Sequence, residues 1–464
     1  MQNKQHTITV AQNFLISLGC AAPLIGTYYI IPRSTFTFDF YDHYFIFIIL
    51  HLYNIFLSDK TQSILPSWLI KGFSVFVLTT LVAATSNQDA FNFAFFKQLF
   101  GAVFSASSYF IIFKLANFNL INIFSRYLNF AFFASLFAII EEFLHLAGVH
   151  IKPVFFGPIG IYRVGGLSGE PYNLSLALFP ALFYCLSTFF NSNIRLNHER
   201  KELTFIKSIP IYVAFFLTFS STGYIGLFLT FLAIAIQKGY FNIKKPKIIF
   251  ASAFFVCVYF VFAYLTTSNQ NFNQKIQDGL WFLQGEEKES SELDKVNSSS
   301  FALLSNYYIT AEGFKDNPFT GIGLGNYEML YNDKFRTLFG FRFQTMYGRQ
   351  NYNDANSMFL RLLAETGLIG ILVVFYFIFS RLIKKGSDDD PLKYYLIVIN
   401  QAILILFLIR LLRCGNYFSD GMFFFVLLFY YSSLQFKRLT QFEQSKLQKL
   451  NVSLSARENI PAPL

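Results

Sequence analysis

The stretch NYNDANSMFLRLLAETGLIGILVVFYFIFSRLIKK, residues 351–385, runs from a polar cluster through Arg361 and Glu365 into a long apolar segment and stops at basic residues. Its apolar part is long enough to cross a hydrocarbon core of about 30 Å, which takes roughly 20 helical residues. Arg361 and Glu365 stand four residues apart, so a helix puts them on one face, where they can pair. Ionisable groups entering such a span are costly in hydrocarbon and become functional candidates, the plainer use being an interfacial pair that anchors the helix end.

Apolar runs of similar kind recur through the chain, near 10–31, 41–57, 66–86, 91–114, 120–148, 172–190, 209–220, 223–238, 248–266, 358–380, 393–412 and 418–436. The seventh is short and is parted from the eighth only by Ser221 and Thr222. With 54% hydrophobic, 20% aromatic and 14% charged residues and a mean hydropathy of +0.43, the chain is far less charged than soluble domains, which carry about 25%. The reading is an all-α, polytopic membrane protein of about twelve spans. Its 63 Phe and 27 Tyr suit a lipid-facing surface with aromatic belts at the interfaces. The first run follows Lys4 without a small-residue cleavage site and reads as a retained span.

Positive charge in short loops favours the cytoplasm. With the N-terminus inside, the inner loops receive Arg195, Arg200, Lys201 and Lys207, then Lys238, Lys244, Lys245 and Lys247, then Arg381, Lys384, Lys385 and Lys393. The tail adds Lys437, Arg438, Lys446, Lys449 and Arg457, so both termini read as cytoplasmic. This divides the chain into an N-terminal bundle of about nine spans (1–266), one large extracytoplasmic loop (267–357), C-terminal spans (358–436) and a cytoplasmic tail (437–464). A loop of that length is functional or disordered. Its first third reads as flexible, whereas the part from Phe301 should contain helix and holds the informative residues.

The net charge of +10 is spread over loops and not gathered into a patch that reads bases, so nucleic acid is not an expected partner. Cys20, Cys185, Cys257 and Cys414 have no metal-ligand spacing, and neither a metal nor a cofactor is expected. In EEFLHLAGVH, Glu141 and His145 share a helix face; with Glu142 and His150 they suit an internal polar network better than a metal site.

Ahead of the opening stretch lies NPFTGIGLGNY, with Gly321, Gly323 and Gly325 on alternate residues after Pro318, a pattern that lets backbone approach a ligand or a neighbouring segment closely. A tight loop turn is the simpler use, and the spacing is not a nucleotide fingerprint. NPFTGIGLGNY and LAETGLIG, in this order, resemble the conserved region of the O-antigen polymerase and ligase superfamily. RVGGLSGEPYNLSLAL resembles the Arg…Gly…Glu-Pro element of polysaccharide polymerases, and FSSTGYIGLFL its Ser-x-Thr-Gly span entrance. Two places depart. Ala355 stands where ligases of the superfamily commonly carry a His before the Asn-Ser pair, and Ser221 stands where a basic residue is common. Both departures favour polymerase over ligase.

The resemblance implies a GT-C-like membrane glycosyltransferase in the bacterial inner or plasma membrane. It would polymerise polyprenyl-diphosphate-linked repeat units of O-antigen, capsule or exopolysaccharide at the outer face, with a flippase and a chain-length regulator as functional partners. A ligase is the alternative within the superfamily, and a transporter or flippase of lipid-linked oligosaccharide the alternative outside it. The donor is already activated, so the enzyme must take a proton from the attacking sugar hydroxyl and stabilise the departing diphosphate. Arginine forks suit the diphosphate: Arg163 first, then Arg413, with Arg336, Arg342, Arg349 and Arg361 also facing outward. Anchoring or pairing is the other use for Arg163 and Arg413, and a solvated loop face for 336, 342 and 349. Glu170, at the entrance of a span beside Pro171, is the candidate base and Asp354 the second; Glu170 could equally complement the helix dipole. Asn356, Gly321 and Gly323 are further candidates for substrate contact.

Overall fold

The computed structural model describes residues 2–26, 42–57, 65–86, 90–150, 162–190, 205–237, 277, 298–347, 351–384, 390–419 and 421–458. These form α1 (Gln2–Ala21), α2 (His43–Leu57), α3 (Ser67–Ser86), α4 (Phe93–Leu115), α5 (Leu120–Leu146), α6 (Pro171–Phe190), α7 (Phe205–Leu217) and α8 (Ser221–Gln237). After them come α9 (Ser298–Asp316), α10 (Tyr327–Tyr347), α11 (Met358–Arg381), α12 (Pro391–Leu412) and α13 (Met422–Glu458). The segments Ser67–Thr85, Phe93–Leu115, Leu120–Leu146, Pro171–Phe189, Met358–Arg381 and Pro391–Leu412 are long and apolar enough to cross a membrane. Val10–Leu24, His43–Phe56, Lys207–Leu217 and Thr222–Ala235 are shorter apolar helices. The run expected at 248–266 lies outside the described residues, as do the first third of the long loop and Cys257.

The break between α7 and α8 falls at residues 218–220, just ahead of the position expected from the polar residues Ser221 and Thr222. The local chemistry explains it. Thr218 Oγ1 accepts from Ser220 N (3.3 Å), Phe219 takes a positive φ of 44°, and Ser220 Oγ accepts from Gly223 N (3.3 Å) as an N-cap for α8.

One apolar core joins α1–α8 and α11–α13, centred on Phe113, Phe124, Tyr127, Phe179, Tyr395, Phe424 and Phe425. Large apolar side chains such as Phe56, Phe100, Phe143, Leu372 and Tyr376 are exposed; on spans they belong against lipid. A second, smaller core lies in the part of the long loop from Phe301. There α9, α10 and the start of α11 pack Phe301, Ile309, Tyr327, Tyr331, Phe335, Ala355 and Leu360 together.

This second body is fastened to the bundle by backbone. Inside α11, Gly367 (φ 60°, ψ −157°) breaks the helix. The bonds lost there would have run from Leu368 N and Ile369 N to the carbonyls of Ala364 and Glu365. Residues 318–323 restore all four groups. Ile322 N donates to Ala364 O (3.0 Å) and Gly323 N to Glu365 O (2.9 Å), while Leu368 N donates to Pro318 O (2.9 Å) and Ile369 N to Phe319 O (3.2 Å). A broken helix at membrane depth is tolerated where protein re-satisfies its backbone. A Cβ on Gly321 would run into the backbone of residues 364–366, and one on Gly367 into that of Phe319 and Thr320. The far side of the clasp rests on α3 and on the residues leading into α4: Leu324 N donates to Thr80 Oγ1 (3.0 Å), and Asn326 Nδ2 to Ala90 O (2.9 Å).

Gly367→Ala, with a glycine-only backbone and no room for Cβ, is expected to destabilise the detergent-solubilised protein by about 2 kcal/mol or more. Gly72→Ala, in α3 with open space around the added carbon, is expected to leave the melting temperature unchanged or slightly raised.

Candidate active site

The clasp delivers Glu365 to the centre of a buried polar cluster. Its Oε1 accepts from Arg361 Nε (2.9 Å) and from Tyr327 N (3.3 Å), and its Oε2 from Tyr417 Oη (2.9 Å). The i,i+4 pair expected from the sequence therefore forms, at 2% and 0% exposure. Arg361 also donates to Gly415 O (3.0 Å), and its guanidinium carbon lies 4.4 Å from the centre of the Tyr417 ring. With its charge matched, its Nε and Nη1 donating and its flat face on an aromatic ring, Arg361 is held in place and is not offered to solvent. Burial and the Glu365 carboxylate raise the Tyr417 phenol well above its usual pKa, which keeps it a donor.

Around this cluster the segment 351–357 folds as a tight turn. Asp354 Oδ1 accepts from Asn356 N (3.1 Å), Ala355 and Asn356 both take positive φ (58° and 56°), and Ser357 Oγ donates to Leu411 O (2.6 Å) while capping α11. Consecutive left-handed residues other than glycine are costly and persist where surrounding contacts fix them. Asn356 Nδ2 is buried and has no hydrogen-bond partner among the described residues. Asp354 lies within electrostatic reach of both Arg361 and Arg413. Arg413 is the C-cap of α12. Burial lowers its pKa, and Tyr172 and Asp354 oppose that shift.

Tyr172 belongs to the first turn of α6, which carries the cluster over to the other candidate segment. Glu170, exposed, precedes that helix, its carbonyl accepting from Leu174 N (3.1 Å). Arg163 Nε donates to Thr218 O (3.0 Å) at the end of α7, next to Val164 N bonded to Leu217 O (3.2 Å). Burial lowers the Arg163 pKa, opposed by Tyr224 and Glu170. The turn between Arg163 and Glu170 is gripped from α5: Glu141, 1% exposed, accepts from Tyr162 Oη (2.6 Å), Gly165 N (3.3 Å) and Gly166 N (2.9 Å). The His145 ring stacks on Tyr162 at 3.9 Å. Gly26 N donates to Leu167 O and Ser168 Oγ to Leu24 O, tying the same turn to the end of α1.

Arg163, Glu170, Asp354 and Arg413 thus belong to one end of the bundle, linked through α6, α7 and α12. Gly321 and Gly323 lie in the clasp beneath Glu365. Arg336 is exposed on α10. Arg342 is in the same helix, its side chain outside the described set, and Arg349 lies outside the described residues. The sequence reading did not single out Tyr172, Tyr224, Tyr327 or Tyr417. Tyr224, directly after the Ser-x-Thr-Gly element, had a local signal; Tyr417, in the loop after α12, had none. Among the described residues no group of three or more His, Cys, Asp or Glu could hold a metal ion.

Residues 207–375, which include the α7–α8 break, the glycine segment and the clasped part of α11, match the protein family described as O-antigen ligase. The match supports the resemblance to the O-antigen polymerase/ligase superfamily. A search of curated proteins finds no match. The superfamily match ends before α12 and begins after Arg163, so Arg413 and the 162–170 turn reach the site from outside the matched region.

Glu365→Leu leaves Arg361 charged and buried without its partner and is expected to cost about 3–5 kcal/mol. Arg361→Met together with Glu365→Leu is expected to be markedly less damaging than Glu365→Leu alone in the same thermal denaturation.

Proposed function

We propose that the protein is a membrane glycosyltransferase that polymerises polyprenyl-diphosphate-linked oligosaccharide repeat units for O-antigen, capsule or exopolysaccharide at the outer face of a bacterial inner or plasma membrane. In this reading the chain has twelve spans in a GT-C-like arrangement, cytoplasmic termini and an external loop whose second half covers the site. The observation that carries it is the placing of Arg163, bonded to the end of α7, and Arg413, the C-cap of α12, at one end of the bundle, each within electrostatic reach of a carboxylate.

The chemistry needs no more than such a set can supply. A sugar hydroxyl of one carrier-linked unit attacks the anomeric carbon of the glycan on another; the bond to the diphosphate breaks and the carrier diphosphate leaves. Arg163 and Arg413 bind that diphosphate as charge develops on it. Glu170 takes the hydroxyl proton, with Asp354 as the second candidate. Asn356, with its unpartnered amide beside Asp354, suits a glycan hydroxyl. Arg336, Arg342 and Arg349 are proposed to meet the glycan further out. Arg361 acts by holding Glu365 and the loop at Gly415, through its Nε and Nη1.

Ala355 favours polymerase over ligase. It is buried, at the place where the ligase pattern has a His, so no imidazole is available there as a base. The second reading, transfer of finished glycan to a separate acceptor, is favoured by the description of the matched family.

Deletion of the gene is expected to leave single repeat units on the surface glycan. Full-length chains trapped on the carrier would identify a ligase, and repeat units retained inside a flippase. Complementation with Arg163→Ala or Glu170→Gln is expected to reduce polymer by about 100-fold or more at normal expression; unchanged chain length in both would remove these residues from the mechanism.

A further inference from the structure

We infer that Glu141 is a positioning residue for Arg163, acting through the Gly165–Gly166 turn. The inference rests on the reading of Arg163 as a diphosphate ligand and assigns to α5 a part in that site. Glu141 lies in the last turns of α5, beside Glu142 and one turn before His145, and is 1% exposed. Its carboxylate accepts from Tyr162 Oη, Gly165 N and Gly166 N. All three belong to the segment that contains Arg163, one before it and two after it.

A carboxylate receiving two successive backbone N–H groups and a phenol is a strong, directional anchor. Gly166 needs φ 53°, and a Cβ on Gly165 would strike the Gly169 carbonyl, so the turn is too tight to tolerate another conformation. Downstream of this anchor the chain reaches Glu170 and the start of α6; upstream, Arg163 bonds to Thr218 O and Val164 to Leu217 O. Arg163 is therefore held at two points, by α7 directly and by α5 through Glu141. The stack of His145 on Tyr162, one turn further along α5, presses the phenol toward the carboxylate. A fork-shaped cation rewards such fixation, since displacement by about 1 Å at a reacting group costs on the order of 100-fold in rate.

The test is a double-mutant cycle on the initial rate of glycan elongation, with the full-length protein in membrane vesicles and a polyprenyl-diphosphate-linked repeat unit as substrate. Glu141→Gln keeps the size of the side chain but places an amide against the glycine N–H groups. It is expected to lower kcat by about 100-fold, and Arg163→Ala added to it to lower the rate by less than about 5-fold further. Losses that multiply, in variants that insert and melt normally, would overturn the positioning role and leave Arg163 as a ligand. An unchanged rate for Arg163→Ala alone would instead remove the diphosphate reading itself. Should Glu141→Gln fail to accumulate, Tyr162→Phe, which removes only the phenol donor, enters the same cycle: coupling with Arg163→Ala supports the inference and multiplication overturns it.

Discussion

The interaction on which the rest depends is the exchange of four backbone hydrogen bonds between residues 318–323 and the break in α11. An interrupted helix leaves donors and acceptors that water cannot reach, and each would cost free energy unless matched. The glycine segment matches them on both sides of Gly367. In doing so it fixes the second body, with its core of Phe301, Tyr327, Tyr331 and Phe335, onto the bundle, and it brings Tyr327 N to the Glu365 carboxylate. The same residue contributes its carbonyl to the clasp and its side chain to Arg361 and Tyr417. The fold and the site meet in Glu365.

Outward from that residue the contacts form a continuous sequence. Arg361 links α11 to the loop after α12 through Gly415 O; Ser357 links the same turn to Leu411 O; Arg413 lies within electrostatic reach of Asp354 and of Tyr172 of α6. From α6 the chain leads back to Glu170 and to the turn held by Glu141 and Thr218. Segments far apart in sequence are thus held in one geometry by buried polar contacts, each satisfied by another. Such networks are stable when complete and fragile when one member is removed.

How far the sequence discloses this depends on the range of the interaction. Apolar runs are legible because bilayer thickness sets their length, and the pairing of Arg361 with Glu365 is legible because helix geometry alone places residues four apart side by side. Gly321 and Gly323 announced a close approach of backbone, but not which backbone: their partners lie some forty residues further on (Ile322 to Ala364, Gly323 to Glu365) and are exposed only because Gly367 breaks its helix. Glu141 reads as part of a polar network, while its grip on the Gly165–Gly166 turn depends on how α5 and α6 pack. Tyr417 carries no local mark at all. The expected boundary at Ser221 shifted to 218–220 because Thr218 and Ser220 cap the two helices there.

The proposed reaction joins two carrier-linked units to each other. It is tested most directly with the purified protein in lipid vesicles and a single polyprenyl-diphosphate-linked repeat unit as its only substrate. A ladder of longer glycans, each still on its carrier, is the predicted result. No elongation under those conditions, with transfer appearing only when a separate lipid acceptor is added, would contradict it.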